Sequence, residues 1–160
     1  MPMMKLSRLL LDTNVWLDYF LGEGPSLGAI NLLIERGFEG SIALLYAPTS
    51  AKDLFYLIPR RLRTLDEGEA EAATYQPAAW TCIERLMETA VAAPQSLAEC
   101  ELARMMRSAC GDFEDNLILA AAETARADYV VTNDRRLLSS APEACITPER
   151  AVALLSLACP

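Results

Sequence analysis

Four aspartates stand where apolar stretches of the sequence end or begin, a placement that suits carboxylate chemistry. Asp12 follows the run 9–11, Asp53 follows the run 42–45, Asp115 opens an apolar helical stretch, and Asp134 follows the run 129–131. If the fold gathers these acids, like charges a few ångströms apart raise some of their pKa values. A bound divalent cation is the simplest way to hold such charges together. The sequence therefore predicts a cation site lined by carboxylates.

The residue types that are present restrict this chemistry further. The sequence has no histidine, which excludes Ser-His-Asp and Cys-His mechanisms and zinc sites that need imidazole. Its cysteines form no C-x-x-C pair and are odd in number, so we expect buried thiols in a reducing, cytoplasmic compartment. They are Cys82, Cys100, Cys110, Cys145 and Cys159. The apolar run 9–11 is too short for a signal peptide or a membrane span, so we expect no membrane association.

Length and charge set the size of the fold and the kind of partner. A chain of 160 residues fits one domain, 1–160, that needs no disulfide or structural metal for its stability. The net charge of −8 argues against a protein that holds nucleic acid by bulk electrostatics. Basic residues are nevertheless clustered at Arg60, Arg61 and Arg63 and at Arg135 and Arg136. Clusters this short are more typical of solvated surface than of a binding site.

Strands and helices alternate along the chain, which predicts an α/β domain with a mainly parallel sheet. The predicted strands are 8–12, 41–46, 91–94, 128–132 and 145–147. The predicted helices are 15–21, 26–36, one that starts at 48–50, and then 65–90, 96–107, 112–126 and one from 148. Asn14 is expected to cap the first helix, and Ser50 with Asp53 to form a capping box. Pro59 is expected to kink or end the third helix.

In an open parallel sheet, the loops that leave the carboxyl ends of the strands surround the ligand crevice. Asp12 and Asp134 are predicted to lie in such loops, and Asp53 close to the same rim. Asp112 precedes Asp115 by three positions, so the two share a helical face. Two of these acids also have a structural interpretation: Asp112 suits a helix N-cap better than a ligand, and Asp134 after an asparagine is typical of a turn. For Asp12 we find no such structural need.

Three segments of the chain together resemble the motifs of PIN-domain ribonucleases, particularly the bacterial VapC-type toxins. They are LLLDTNVWLDYF (9–20), DFEDNLILAAA (112–122) and DYVVTND (128–134). The resemblance implies a three-layer α/β/α sandwich with a central, mainly parallel sheet and a Mg²⁺ or Mn²⁺ site. By motif position it assigns the first, third and fourth family acids to Asp12, Asp115 and Asp134. Asp53 stands where the family usually has a glutamate.

The resemblance also implies a reaction and partners. Carboxylates would hold one or two metal ions that activate a water and hydrolyse an RNA phosphodiester bond. Asn14 and Thr132 match polar positions that support the site, and Asp112 is an accessory acid. Beyond the resemblance, our own hypothesis is that the arginines of both basic clusters bind RNA phosphates around an otherwise acidic groove. A toxin of this type would have an antitoxin protein as partner and would form homodimers.

Two other interpretations of the sequence stay open. A PIN-like fold without turnover could bind RNA or protein, which the acidic charge and the aspartate at position 53 favour. Alternatively, Asp12 could be the nucleophile of a phosphoryl-transfer domain. That chemistry normally uses a lysine near the phosphoryl oxygens, and the only lysines are Lys5 and Lys52. The segment after Asp12 also lacks a second acid two residues on.

Overall fold

A computed structural model describes residues 6–68 and 70–157, so Lys5, Cys159 and both ends of the predicted domain 1–160 lie outside the described residues. Five parallel strands form one sheet: β1 (Arg8–Leu11), β2 (Ala43–Tyr46), β3 (Val91–Ala92), β4 (Tyr129–Val131) and β5 (Cys145–Ile146). Their order in the sheet is β3-β2-β1-β4-β5. The order reverses direction beside β1, so the loops after β1 and β4 open onto the same crevice.

Helices connect the strands and cover both faces of the sheet. They are α1 (Thr13–Leu21), α2 (Leu27–Phe38), α3 (Pro48–Leu65), α4 (Gln76–Thr89), α5 (Leu97–Met105), α6 (Phe113–Thr124), α7 (Arg135–Ser140) and α8 (Pro148–Leu157). Short 3₁₀ turns lie at Ala72–Tyr75 and Met106–Ser108. In the part of the chain that the structure describes, no helix is long and apolar enough to cross a membrane.

Strands β1, β2, β4 and β5 are largely buried, whereas both residues of the edge strand β3 are exposed. In the central strand β1, alternate residues contact different helical layers. Leu9 and Leu11 pack into the core formed with α1, α2, α3, α4 and α8. Leu10 faces the opposite core, formed with α6 and α7. Helix α5 packs on the outer side of α6 through Ala103 and Ala120. The expected three-layer α/β/α sandwich is thereby confirmed.

The structure corrects the predicted helix starts near the site. Asp12, rather than Asn14, is the N-cap of α1, and its carboxylate accepts a hydrogen bond from the backbone N–H of Thr13. Helix α3 begins one turn earlier than a Ser50 cap requires, because Pro48 occupies its first turn, where no N–H donor is needed. The Ser50 side chain is fully buried and accepts a hydrogen bond from the hydroxyl of Thr13. The predicted capping box with Asp53 is therefore wrong.

Two helix ends also differ from the prediction. Helix α3 continues through Pro59 to Leu65, although an internal proline costs one backbone hydrogen bond. Ile58 and Pro59 are buried there, so core packing outweighs that local cost. The predicted helix 65–90 is in fact the end of α3, a turn, a 3₁₀ segment and α4.

Helix α2 passes through Gly37, where the sequence predicted a stop. A Cβ atom at Gly37 would lie 2.5 Å from Cδ1 of Leu44, which is buried in β2. Glycine is therefore needed at this position because the helix backbone packs directly on the sheet. Gly28, in the same helix, has open space around the corresponding Cβ position.

We predict that Gly37→Ala lowers the free energy of unfolding by about 1–3 kcal/mol, because the added methyl overpacks the helix–sheet contact. Gly28→Ala is the matched control and should raise it by about 0.5–1 kcal/mol through helix propensity. Urea unfolding followed by circular dichroism measures both changes. Equal effects of the two substitutions would contradict the packing explanation.

Candidate functional site

The carboxyl edge of the sheet brings together the acids that the sequence singled out near β1, β4 and α6. Asp12 directly follows β1, and its backbone N–H donates to the carbonyl of Val131 in β4 at 3.0 Å. Asp134 follows β4 by three residues, and Asp115 lies in the first turn of α6. The charges of Asp12 and Asp134 are both close enough to raise the pKa of Asp115. Three of the four predicted acids therefore share one site.

Asp12 is held by three hydrogen bonds to its carboxylate. The backbone N–H of Thr13 donates to Oδ1 at 2.7 Å. Asn14 Nδ2 and the Thr132 hydroxyl donate to Oδ2 at 2.8 and 2.7 Å. A carboxylate has about four lone-pair positions, so one remains for a further ligand.

Thr132 is the centre of the hydrogen-bond network around Asp12. Its side chain is fully buried. Besides donating to Asp12, its Oγ1 accepts from Asn14 Nδ2 at 3.1 Å and from the backbone N–H of Asp134 at 3.0 Å. Asn14 Oδ1 in turn accepts from the backbone N–H of Asn133 at 3.0 Å. These bonds fix the loop after β4 against the loop after β1.

Asp112 and Asp134 each cap a helix, as the structural interpretation of the sequence expected for Asp112. Asp112 Oδ1 accepts from the backbone N–H groups of Glu114 and Asp115 at the start of α6. Asp134 Oδ1 accepts from those of Arg136 and Leu137, and so begins α7, a helix that the sequence prediction missed. In both side chains it is Oδ1 that makes the cap, which leaves Oδ2 to face other groups.

Burial and like charge act together on the acids of this site. Burial raises the pKa of the Asp12 carboxyl, and the charge of Asp134 adds to that rise, against the lowering by its three hydrogen bonds. For Asp115, burial and then the charges of Asp112, Asp134 and Asp12 raise the pKa. Arg136 offsets part of this repulsion, since its Nη2 lies 3.6 Å from Asp112 Oδ2 and 4.0 Å from Asp115 Oδ2.

The donor set at this site fits a hard divalent cation. It consists of carboxylate oxygens whose mutual repulsion a cation would relieve. Within residues 6–68 and 70–157, no three acidic or thiol side chains already surround a common point. Asp12, Asp115 and Asp134 would therefore have to draw together around an ion.

Asp53 lies on the rim of the site, in contact with different partners. Its Oδ1 is 2.9 Å from Lys52 Nζ. A hydrogen bond between Asp53 and Glu114 raises the pKa of Glu114, whose charge interactions extend to Asp112. Asp53 therefore reaches the α6 acids through Glu114, the neighbour of Asp115.

The five candidate arginines occupy different environments. Arg61 Nε donates to Glu23 Oε1 at 2.9 Å, and Arg136 faces the acids of the site. Arg135 is exposed at the start of α7. Arg60 and Arg63 are exposed near the end of α3, about 18 Å or more along that helix from its start at the site. Of these five arginines, Arg136 faces the acids, and Arg135 is the neighbour of Asp134 in the chain.

Three residues of the site were missed by the sequence analysis. Ser50 supports Thr13, Glu114 contacts Asp53, and Cys110 Sγ lies 3.9 Å from Asp115 Oδ2. Ser50 carried a signal, but it was interpreted as a helix cap. For Glu114 and Cys110 the only signal is their closeness to Asp115 in the sequence, which does not distinguish a site residue from a surface one. The described cysteines, Cys82, Cys100, Cys110 and Cys145, are free thiols.

Comparisons with known proteins agree with this architecture. A family model described as PIN domain matches residues 8–136. PAE2754 from Pyrobaculum aerophilum has a similar crystal structure, with a TM-score of 0.64 at 16% identity over 94% of this chain and 91% of that one. VapBC2 from Rickettsia felis, in a crystal structure bound to a DNA fragment from their promoter, gives 0.61 at 12% identity over 88% and 98%. No curated protein matches the sequence significantly. At these identities the two structures show a shared fold.

The raised pKa of Asp115 makes stability depend on pH. Its carboxyl in the unfolded chain titrates near 3.8, below its value in the folded protein, so folding loses stability as the pH rises through that interval. We predict that Asp115→Asn raises the free energy of unfolding at pH 7 in EDTA, and that this gain disappears near pH 3. Urea unfolding at both pH values measures it, with Glu35→Gln as an exposed control on α2. A gain that is equal at both pH values would contradict the charge explanation.

Proposed function

The chain belongs to the PIN-domain family, and from that premise we propose that it is a metal-dependent endoribonuclease that hydrolyses RNA phosphodiester bonds. PIN domains are generally nucleases. The observation that carries the proposal is the gathering of Asp12, Asp115 and Asp134 at the carboxyl edge of the sheet, where burial and like charge raise the pKa values of Asp12 and Asp115. A bound cation would relieve the repulsion between these buried carboxylates, so they suit a functional site better than a solvated surface.

In this proposal Asp12, Asp115 and Asp134 hold Mg²⁺ or Mn²⁺ through oxygen atoms, which both ions accept as ligands. When bound, the ion would supply two things: a water whose pKa is lowered, and its own positive charge beside the scissile phosphate. Asp112, whose Oδ2 faces Arg136, is an accessory acid.

The polar neighbours of Asp12 have a positioning role. Asn14 and Thr132 donate to the same oxygen, Oδ2, and thereby fix the rotation of the carboxylate. The remaining lone pair of Oδ1 is therefore held in one direction, and the carboxylate does not need to rotate when it binds the ion. Arg136, beside the acids, balances their charge and is available to a phosphate group of the RNA.

Asp53, in the place of the second family acid, is proposed as a further acid of the site. It stands where the family usually has a glutamate, which is one methylene longer. The Asp53 carboxylate contacts Glu114 and Lys52. We assign it an indirect part, in which it positions Glu114 and the start of α6. Its substitution should accordingly cost less activity than that of Asp12.

We further propose that the chain is the toxin of a type II toxin–antitoxin pair and acts in the cytoplasm. The similarity to VapBC2 supports this role, because that structure holds a toxin–antitoxin complex on promoter DNA. The partners are then an RNA substrate, an antitoxin protein that blocks the acidic site, and a second copy of the chain in a homodimer.

We predict that the purified protein cleaves a mixed RNA pool with Mg²⁺ or Mn²⁺ and does not cleave it in EDTA. Asp12→Asn and Asp115→Asn should abolish cleavage, whereas Asp53→Asn should reduce it by about 10–100-fold, as expected for a residue that acts through another. Gel analysis of end-labelled RNA measures all of these.

The control for this experiment is Glu35→Gln, which should cleave like the wild type. Thermal unfolding with and without Mn²⁺ reports ion binding separately from catalysis. If the folded wild type binds Mn²⁺ but leaves every RNA of the pool intact, the nuclease proposal is wrong. The result would then favour a catalytically silent PIN-like binding module.

The toxin role predicts a phenotype. Induced expression of the wild-type chain alone in a bacterial host should arrest growth within a few generations, and Asp12→Asn expressed to the same level should not. Growth curves with immunoblots of protein level measure this. Normal growth with active, soluble wild-type enzyme would refute the toxin role and leave the ribonuclease activity standing.

A further inference from the structure

One surface of α3 combines cations and aromatic rings, in contrast to the acidic charge of the chain as a whole. Lys52, Tyr56, Arg60 and Arg63 follow one another at intervals of four, four and three residues, so they lie on the same face of the helix. All four are exposed. With Trp80 of α4, which packs beside this face, they are called the aromatic-basic stripe.

The aromatic part of the stripe is a connected group of rings. Phe55 lies between Tyr56 and Trp80, with ring centroids 5.5 Å and 5.0 Å away, and both pairs are edge-on. Tyr56 is 63% exposed and Trp80 57% exposed. Exposed rings that are held in place by a neighbouring ring offer flat faces on which nucleobases can stack.

The cationic part of the stripe is available to an anion. Within residues 6–68 and 70–157, neither Arg60 nor Arg63 has a carboxylate within salt-bridge distance, whereas Arg61 is paired with Glu23. With Thr64 and Gly68, Arg60 and Arg63 line a surface depression of about 300 Å³. A phosphate group could therefore reach both guanidinium groups.

The stripe leads away from the acidic site. At its start, Lys52 contacts Asp53, which is hydrogen-bonded to Glu114, the residue before Asp115. From Lys52 to Arg63 the helix rises about 17 Å. A strand that has one phosphate at Asp115 can thus continue along α3 past the aromatic rings to the two arginines.

We propose that the aromatic-basic stripe binds the single-stranded part of the RNA substrate that flanks the scissile bond. Bases stack on Tyr56 and Trp80, and Arg60 and Arg63 bind phosphates. The inference rests on the proposed function for its ligand, RNA, and adds where the RNA lies and that it is single-stranded. Duplex RNA conceals the faces of its bases, so it cannot use the stacking platform.

Charge complementarity favours RNA over a protein partner on this surface. The chain carries −8 overall, yet the stripe presents Lys52, Arg60 and Arg63 together. Cations that alternate with exposed aromatic rings are the combination that single-stranded nucleic acid requires, because the backbone and the bases are recognised by different side chains. A purely apolar interface would have no use for Arg60 and Arg63, which form no salt bridge with any residue that the structure describes.

Intrinsic fluorescence tests the stacking directly, because the two tryptophans differ completely in exposure. Trp16 is fully buried and Trp80 is mostly exposed. Titration of the wild type in EDTA with a single-stranded RNA oligonucleotide should quench the tryptophan emission, and the same RNA as a duplex should not. In Trp80→Phe, which keeps an aromatic ring but leaves only Trp16, the quenching should vanish while the RNA still binds.

Binding of labelled single-stranded RNA, measured by anisotropy in EDTA, tests the contributions of the side chains. Tyr56→Ala and Trp80→Ala should each weaken binding about five- to hundredfold, and Tyr56→Phe should restore it. Arg60→Ala combined with Arg63→Ala should reduce the slope of log affinity against log salt by about 1.4. The controls are Phe38→Ala and Arg150→Ala, exposed residues outside the stripe, which should bind like the wild type.

Two results would overturn the inference. One is unchanged RNA affinity in Tyr56→Ala, Trp80→Ala and the double arginine variant. The other is a loss of a homodimer in those variants, seen by size-exclusion chromatography, without loss of RNA binding, which would make the stripe a protein interface. Failure of the ribonuclease proposal is distinguishable: the RNA pool stays intact with Mg²⁺ or Mn²⁺, while quenching and binding in EDTA persist.

Discussion

A carboxylate at the end of the central strand is the constraint around which this site is built. Asp12 follows three fully buried leucines, so its charge sits where the chain leaves the core. Burial disfavours the charged form of Asp12, and hydrogen bonds from Thr13, Asn14 and Thr132 offset part of that cost. The same bonds tie the loops after β1 and β4 together. One hydrogen-bond network therefore both stabilises the charge of Asp12 and holds the two loops of the crevice together.

Acidic and basic side chains occupy different parts of one surface. The acids at the carboxyl edge of the sheet are partly balanced by Arg136, whereas the cations of α3 lie further along, where phosphates can meet them without entering the acidic cluster. If the proposed function holds, this arrangement lets a chain of charge −8 bind a polyanion. The net charge of −8 opposes long-range attraction of such a ligand, so the proposed binding relies on local cations and stacking rather than on steering by the whole protein.

The sequence was sufficient to predict the fold class and the place of three acids, for a physical reason. Apolar runs that end in Asp12 or shortly before Asp134 mark buried strands, and parallel strands end at one edge. It was insufficient where distant residues decide the outcome. Ser50 looked like a cap because its partner Thr13 is 37 positions away. Helix α7 was missed because Asp134, its cap, was interpreted as part of a turn, and Pro59 is tolerated only because the core holds α3.

The bond between Thr132 and Asp12 spans 120 positions of the sequence. During synthesis from the amino terminus, a nascent chain has made Asp12, α1 and β2 long before Thr132 exists. Until β4 has been translated and inserted beside β1, Asp12 has neither the hydroxyl that orients it nor Asp115 and Asp134 held at its side. The acidic site therefore forms late, and a nascent chain that ends before β4 does not contain it.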